Sequence, residues 1–202
     1  GGAGYLGCVA VRHLLEGGHT VRVVDALWEG AHGLRGLEQA EWFSLLQGDI
    51  RSAAVVRQAL DGMEAVVHLA AIVGDPACDR NPTLTREVNL DASLQLWDLS
   101  RRSGVSRFLF ASTCSNYGRM HDPAAWLTEE AELRPLSLYA QTKVEVERVL
   151  LGPSASEAPP RCVMRFATVF GLSPRMRFDL TVNEFTKELA LNRKLVIYGE
   201  QF

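Results

Sequence analysis

Short apolar runs rich in Val, Leu and Phe alternate with stretches of helical period along nearly the whole sequence, and this alternation restricts the fold more than any other feature. Residues 19–25, 42–47, 64–69, 106–111, 161–168 and 195–198 read as strands, and residues 5–16, 52–60, 83–102, 137–151 and 178–191 as helices. Short, nearly continuous apolar strands separated by helices belong to a parallel sheet covered on both faces. The expected fold is therefore α/β, a Rossmann-type doubly wound parallel sheet. Residues 153–160, rich in proline and serine, read as a surface loop, because the alternation resumes directly after them. Residues 116–134 show no period, and an irregular stretch of that length in a compact domain is usually functional, here as part of a site wall.

The chain opens on GGAGYLG, with glycines at 1, 4 and 7 directly before the first helix. Glycines so spaced let a phosphate approach the backbone, and the helix start turns unpaired amides and a positive dipole end toward the anion. Such a loop normally follows a central strand, so the reading expects a sheet whose N-terminal strand is missing from this sequence. Position supports the phosphate reading over a plain tight turn. The strand ending in Val-Arg-Val-Val-Asp25 places a carboxylate roughly 20 residues on, where it can accept from a ribose 2′-hydroxyl and would repel a 2′-phosphate. NAD is thereby favoured over NADP. Gln47-Gly-Asp-Ile50 and His68-Leu-Ala-Ala71 end the next two strands on the same carboxyl edge, where ligands sit in this architecture.

Composition removes other classes. With 202 residues, 47% hydrophobic and 22% charged, the chain has apolar mass for a core and the length of one domain, or of one plus part of another. A net charge of −3 without a basic block argues against nucleic acid as a partner. No apolar run approaches the roughly 18 residues of a membrane span, and the first residues are not a signal peptide, so no membrane partner is expected. Cys8, Cys78, Cys114 and Cys162 are scattered, with no C-x-x-C and no paired His spacing. A reduced, cytoplasmic chain without a metal site is the expectation.

The chemistry-bearing residues gather after position 106. The strand Arg107-Phe-Leu-Phe-Ala111 runs into Ser112-Thr113-Cys114-Ser115-Asn116-Tyr117-Gly118, and Leu138-Tyr139-Ala-Gln-Thr-Lys143 sets a phenol and an ammonium one turn apart on a helix. A phenol of pKa near 10 is a poor base at neutral pH. A lysine cation one turn away, with a positive nicotinamide ring, would favour the phenolate. That phenolate can take a proton from a sugar hydroxyl while hydride leaves for the nicotinamide, with Thr113 hydrogen-bonded to the same oxygen. Lys143 would also hold the nicotinamide ribose. Cys114 reads as a small buried thiol at a strand end, with a base beside a ketone as the alternative.

The ordered set Gly-x-x-Gly-x-x-Gly, strand-end Asp, Gly-Asp-Ile, His-Leu-Ala-Ala, Ser-Thr-x-x-x-Tyr-Gly, Tyr-x-x-x-Lys and Arg-Phe-x-x-Val-Phe-Gly resembles the extended short-chain dehydrogenase/reductase superfamily. Within it the match is to the NAD-dependent nucleotide-sugar epimerase/dehydratase family, over essentially the whole chain. The resemblance implies NAD as cofactor, with Gly1, Gly4, Tyr5 and Leu6 on the pyrophosphate and Asp25 on the adenosine ribose. It puts Asp49 and Ile50 on the adenine, Leu69, Ala70 and Ala71 along the cofactor's middle, and Thr113, Tyr139 and Lys143 in the catalytic triad. Cys114, Ser115 and Thr168 line the substrate, and Asn183 contacts its diphosphate. Residues 1–170 are then the NAD-binding domain and 171–202 the start of a truncated substrate-binding part.

Two departures narrow the activity. The family's 4,6-dehydratases carry Asp-Glu after the catalytic Thr, and its decarboxylases usually carry a Glu where Ser115 stands, whereas this chain has Cys114-Ser115. The family's common Asn after the Arg-Phe strand is Thr168. The first expectation is a nucleotide-sugar 4-epimerase working through a 4-keto intermediate, with a 4-ketoreductase of a deoxysugar nucleotide as its rival. A dehydratase, a decarboxylase and a non-catalytic NAD sensor rank below. Apolar stripes on helices 83–102 and 137–151, which in this family often form a four-helix interface, give the expectation of a homodimer.

Overall fold

A computed structural model describes residues 1–119, 126–152 and 159–195. In chain order its helices and strands are α1 (Tyr5–Glu16), β1 (Val21–Asp25), β2 (Phe43–Gln47), α2 (Ala53–Leu60), β3 (Ala65–His68), α3 (Asp75–Arg80), α4 (Pro82–Arg86), α5 (Ala92–Arg102), β4 (Arg107–Thr113), α6 (Leu138–Leu151), β5 (Arg161–Phe166) and α7 (Thr181–Ala190). All strand pairs are parallel. β1 pairs with β2 from Val21↔Phe43 to Asp25↔Gln47, while β4 lies between β3 and β5. The described strands thus form two sheets rather than one. Gly1 touches the carboxyl ends of both: its nitrogen donates to the Val24 carbonyl at 2.6 Å, and a Cβ built on it would lie 2.6 Å from the Leu69 carbonyl carbon. The division falls where the sequence reading expects a central strand.

The helices form for local reasons. Ser52 and Ser137 cap α2 and α6, their side chains accepting from Val55 N and Ala140 N. Along α6, Ala140, Lys143, Val144, Glu147 and Leu150 are buried at a spacing of three and four residues, a face turned to the sheet. Cys8 and Val11 of α1 pack on Val21 and Val23 of β1 in one core. In the other, Val56 and Leu60 of α2, Leu96 and Trp97 of α5, and Val146 and Leu150 of α6 enclose Phe108 and Phe110 of β4. Trp97 meets Phe108 edge-on at 5.1 Å between ring centroids.

Several sequence boundaries shift. The expected helix over 83–102 is a continuous run in three parts, α4, a π-helical turn at Glu87–Asp91, and α5. The π turn carries Asn89, whose Oδ1 accepts from Ile72 N at 2.8 Å and whose Nδ2 donates to Ile72 O at 2.9 Å, so it clamps the exit of β3. β4 continues two residues further than expected, to Thr113, because β5 pairs with it through Thr113↔Phe166. β5 stops at Phe166, two residues short of the expected end, and α7 begins at Thr181 rather than 178. Helix α3 has no counterpart in the sequence reading. Of the expected strand at 195–198 and the loop at 153–160, residues 196–198 and 153–158 lie outside the described residues, as do 120–125 within the irregular stretch.

Candidate active site

The glycine loop lies at the carboxyl ends of β1 and β3. Gly7 belongs there for packing: a Cβ on it would sit 2.6 Å from the Gly2 Cα, a backbone atom that cannot move aside alone. A Cβ on Gly4 would press on the Gly1 carbonyl at 3.3 Å, its one close neighbour. Gly4 is also the N-cap of α1, with no side-chain cap and no acidic residue in the first turn. Tyr5 and Leu6 supply the first amides of a helix start that no side chain has claimed, which fits a phosphate group. Asp25 stands against this loop, its Oδ2 accepting from Ala3 N at 3.0 Å and its Oδ1 from Leu27 N at 2.9 Å.

Asp49 and Ile50 follow β2 on the same edge. The Asp49 carboxylate is held by Arg51, with Nη2 donating to Oδ2 at 2.8 Å, and these hydrogen bonds keep its pKa below the ordinary range. Arg51 also donates to Glu87 at 2.7 Å, and a half-open cavity of about 540 Å³ lies beside this group. Its lining includes Asp49, Arg51, Glu87 and Gln95 and none of Thr113, Tyr139 and Lys143. Ile50 packs on the larger core, and Gln95 Nε2 donates to its carbonyl at 3.1 Å. Leu69 and Ala70 abut Gly1, and Ala71 precedes the Ile72 clamped by Asn89. His68 is a buried core residue. Ser93 Oγ donates to the Asn89 carbonyl, so His68 Nε2, 2.8 Å away, is the donor to that hydroxyl, and burial holds the imidazole pKa well below its usual value.

Thr113 ends β4, and its Oγ1 accepts from Ser115 N at 3.1 Å, starting a 3-10 turn at Cys114–Tyr117. Tyr139 and Lys143 stand one turn apart on α6, with the Lys143 Nζ 5.8 Å from the Tyr139 ring centroid. The ammonium donates to the Ala111 carbonyl at 2.8 Å and lies 4.7 Å from the Phe110 ring centroid. Burial pushes the Tyr139 phenol up to about 12, and the cation that draws it down is Arg177 rather than Lys143. Lys143 is itself lowered to about 8 by burial. Its charge rests on the Ala111 carbonyl and lies nearer the Phe110 ring than the Tyr139 ring.

Behind the catalytic face runs a polar network absent from the sequence reading. Glu147 is one further turn along the face that carries Tyr139 and Lys143, and only 2% of its side chain is exposed. Arg165 of β5 donates to it from Nη2 at 2.7 Å and Nε at 3.0 Å, and from Nη1 to Tyr117 Oη at 3.0 Å and Glu129 O at 2.8 Å. Asn116 Nδ2 donates to Glu147 Oε1 at 2.7 Å, and Ser112 Oγ contacts the same oxygen. One ion pair thereby ties α6, β5, the strand end beside Thr113 and part of the irregular stretch together. A charged residue inside the apolar strand Arg161–Phe166 was its sequence signal, since a half-buried guanidinium requires a counter-charge.

Among the expected substrate residues, Cys114, Ser115 and Thr168 are exposed. Cys114 is therefore not the buried thiol its strand-end position implied, because the chain has left the sheet and entered the 3-10 turn. Asn183 is engaged within the protein in the ligand-free structure. It is buried, its Oδ1 accepts from Gly171 N at 2.9 Å, and its Nδ2 donates to Tyr5 Oη at 3.1 Å and to Arg177 O at 3.0 Å. Both amide hydrogens are thus taken inside the protein. In this structure Asn183 ties residues 171–183 to the helix that follows the glycine loop.

Comparison with known proteins identifies the family. The chain is 32% identical over 175 residues to a UDP-glucose 4-epimerase of Corynebacterium glutamicum, covering 85% of this chain and 50% of the relative. It is 31% identical over 183 residues to a 3 beta-hydroxysteroid dehydrogenase/Delta 5-->4-isomerase of Mycobacterium tuberculosis, covering 88% of this chain and 48% of that protein. The structure superposes on a UDP-N-acetylglucosamine 4-epimerase from Methanobrevibacter ruminantium M1 with a TM-score of 0.86 at 25% identity, over 98% of this chain and 64% of the other. The chain spans about half the length of the curated relatives it matches. Residues 1–201 match the family described as NAD dependent epimerase/dehydratase. The chain belongs to the NAD-dependent epimerase/dehydratase family.

Proposed function

We propose that this chain carries the NAD-binding and catalytic part of a nucleotide-sugar 4-epimerase. The observation that carries the reading is the Tyr139–Lys143 pair on α6 beside a β4 end that offers Thr113 but no carboxylate at 114 or 115. Oxidation and re-reduction at one sugar carbon need a proton-transferring group and a group that orients the hydroxyl. Water removal needs the additional acid and base that Cys114-Ser115 does not supply. The second assignment of this reading is the cofactor. NAD, when bound, supplies the hydride acceptor and later the hydride donor. Gly1, Gly4, Tyr5 and Leu6 would hold its pyrophosphate, Asp25 its ribose, Asp49 and Ile50 its adenine, and Leu69, Ala70 and Ala71 its middle. For Asp49 this requires Arg51 to share the carboxylate.

Tyr139 takes the proton from the reacting hydroxyl. With its phenol near 12 in the ligand-free protein, that role depends on cations moving closer when the site fills. Lys143, near 8, is mostly charged at neutral pH and can turn from the Ala111 carbonyl toward a ribose hydroxyl. Thr113 Oγ1 already accepts from Ser115 N, and no acceptor for its own hydrogen is found among the described residues, so it is suited to donate to the substrate oxygen. Residues 171–202 begin the substrate-binding part. The protein is read as a cytoplasmic homodimer, supported by four free cysteines and by apolar side chains on α6, Val149 and Leu151, that stay exposed.

A second reading, reversible oxidation of a hydroxyl on a sterol-like substrate, is favoured by the 31% identity to the hydroxysteroid dehydrogenase, since the same triad would serve it. Incubating the protein with a panel of nucleotide sugars and following the products by NMR separates the two. The epimerase reading expects inversion at carbon 4 with no net consumption of NAD. Turnover only of sterols, or none with any nucleotide sugar, removes it. Tyr139→Phe should abolish turnover while NAD remains bound, whereas a sensor would keep its function.

A further inference from the structure

We propose that Arg177 grips the diphosphate of the nucleotide-linked substrate, an assignment that rests on the nucleotide-sugar reading above. Residues 171–183 are fastened over the start of α1. Tyr5 Oη donates to the Gly171 carbonyl at 2.6 Å, Ser173 Oγ donates to the Tyr5 carbonyl at 2.8 Å, and Asn183 Nδ2 bridges Tyr5 Oη and the Arg177 carbonyl. This places two guanidiniums within three residues beside the glycine loop, and they diverge. Arg175 packs its stem against Gly33, whose added Cβ would lie 3.0 Å from the Arg175 Cβ, and pairs with Glu29 at 3.3 Å. It serves the segment that follows β1. Arg177 is instead held beside the start of α1, because the Asn183 amide that donates to its carbonyl at 3.0 Å also donates to Tyr5 Oη at 3.1 Å.

Arg177 is held in a way that a stronger anion can replace. Its side chain is 22% exposed, and its guanidinium donates to Asp179, two residues on and with a side chain 65% exposed, at 3.1 and 2.5 Å. A solvent-facing pair of this kind contributes little. A diphosphate carries more charge and accepts from the guanidinium fork in a bidentate manner. The substrate's own chemistry fixes where that group must lie. If a ring carbon of the sugar is to reach Tyr139, the diphosphate on the anomeric carbon of the same ring is only one sugar away. The amides of Tyr5 and Leu6 serve the cofactor's phosphates, and Asn183 has no amide hydrogen left to give. Arg177 remains as the cationic donor beside Tyr5 whose present partner is a solvent-facing carboxylate.

The test is calorimetry on the NAD-loaded protein with UDP, dTDP, CDP, GDP and ADP, comparing wild type with Arg177→Ala, Arg177→Lys and Asp179→Asn. The nucleoside diphosphate bound best by wild type should bind about tenfold or more weakly to Arg177→Ala and at an intermediate level to Arg177→Lys, because lysine keeps charge and loses the fork. Asp179→Asn should bind it at least as well as wild type, and NAD affinity should be the same in all four proteins. Unchanged diphosphate binding in Arg177→Ala overturns the assignment. So does a loss of NAD affinity with nucleotide binding intact, which would give the residue to the cofactor. Failure of wild type to bind any of the five, while it holds NAD, removes the nucleotide-sugar reading itself. A loss confined to Arg177→Ala leaves that reading standing.

Discussion

Replacing Arg165 with Met is the most informative perturbation of the scaffold behind the catalytic face. Arg165 is 14% exposed and Glu147 2%, and their carboxylate–guanidinium contact is the ion pair on which Ser112, Asn116 and Tyr117 converge. Removing one partner of a buried pair costs about 3–5 kcal/mol, because the other charge is left without compensation. Glu147 would retain its contacts with Ser112 and Asn116, which places the expected cost near the lower limit, about 3 kcal/mol. For a chain of this length that corresponds to a fall of roughly 6–12 °C in Tm. The double variant Arg165→Met/Glu147→Gln removes both charges and keeps an acceptor oxygen for Ser112 and Asn116. It should cost about 1 kcal/mol or less, leaving a coupling energy of about 2 kcal/mol or more between the two sites. Urea denaturation of the wild type, both single variants and the double variant measures this cycle. Raised ionic strength should leave the coupling intact, since the pair is shielded from solvent. A cost for Arg165→Met below about 1 kcal/mol, or additive single costs, would refute the argument that this pair organises the end of β4.

Two further outcomes follow from the site. Gly7→Ala should weaken NAD binding, read by fluorescence titration, and destabilise the fold by about 1–3 kcal/mol through the contact with the Gly2 backbone. Alanine ordinarily stabilises a helix interior by about 1 kcal/mol over glycine, so the sign alone is diagnostic. Lys143 releases its proton near 8 in the folded protein and near its ordinary 10.5 when unfolded, so between these values the unfolded chain binds more protons and stability rises with pH. Denaturation of wild type and Lys143→Met across that window should differ in slope, and parallel slopes would contradict the buried position of the ammonium.

The parts legible in the sequence are those fixed by local pattern. The expected helix 5–16 matches α1, which glycines flank on both sides, and the expected starts at 52 and 137 fall on the serines that cap α2 and α6. Strand ends at Asp25 and Gln47 followed from apolar runs that stop abruptly. What escaped depends on residues distant in sequence. The π turn at Glu87–Asp91 exists to bring Asn89 onto Ile72, 17 residues earlier, and its sequence is ordinary helix. The contact of the Asn183 amide with Tyr5, 178 residues away, likewise has no local signal in the sequence. The one-turn spacing of Tyr139 and Lys143 is legible in the sequence, whereas the Ala111 carbonyl that Lys143 meets belongs to a strand that packs beneath.

A crystal structure with NAD bound tests the central claim most directly. The account predicts the pyrophosphate against the amides of Tyr5 and Leu6, and the Tyr139 hydroxyl within about 3–3.5 Å of the position a reacting sugar oxygen takes over the nicotinamide. A dinucleotide bound away from Gly4, or a Tyr139 hydroxyl directed away from both the nicotinamide and Thr113, would contradict it.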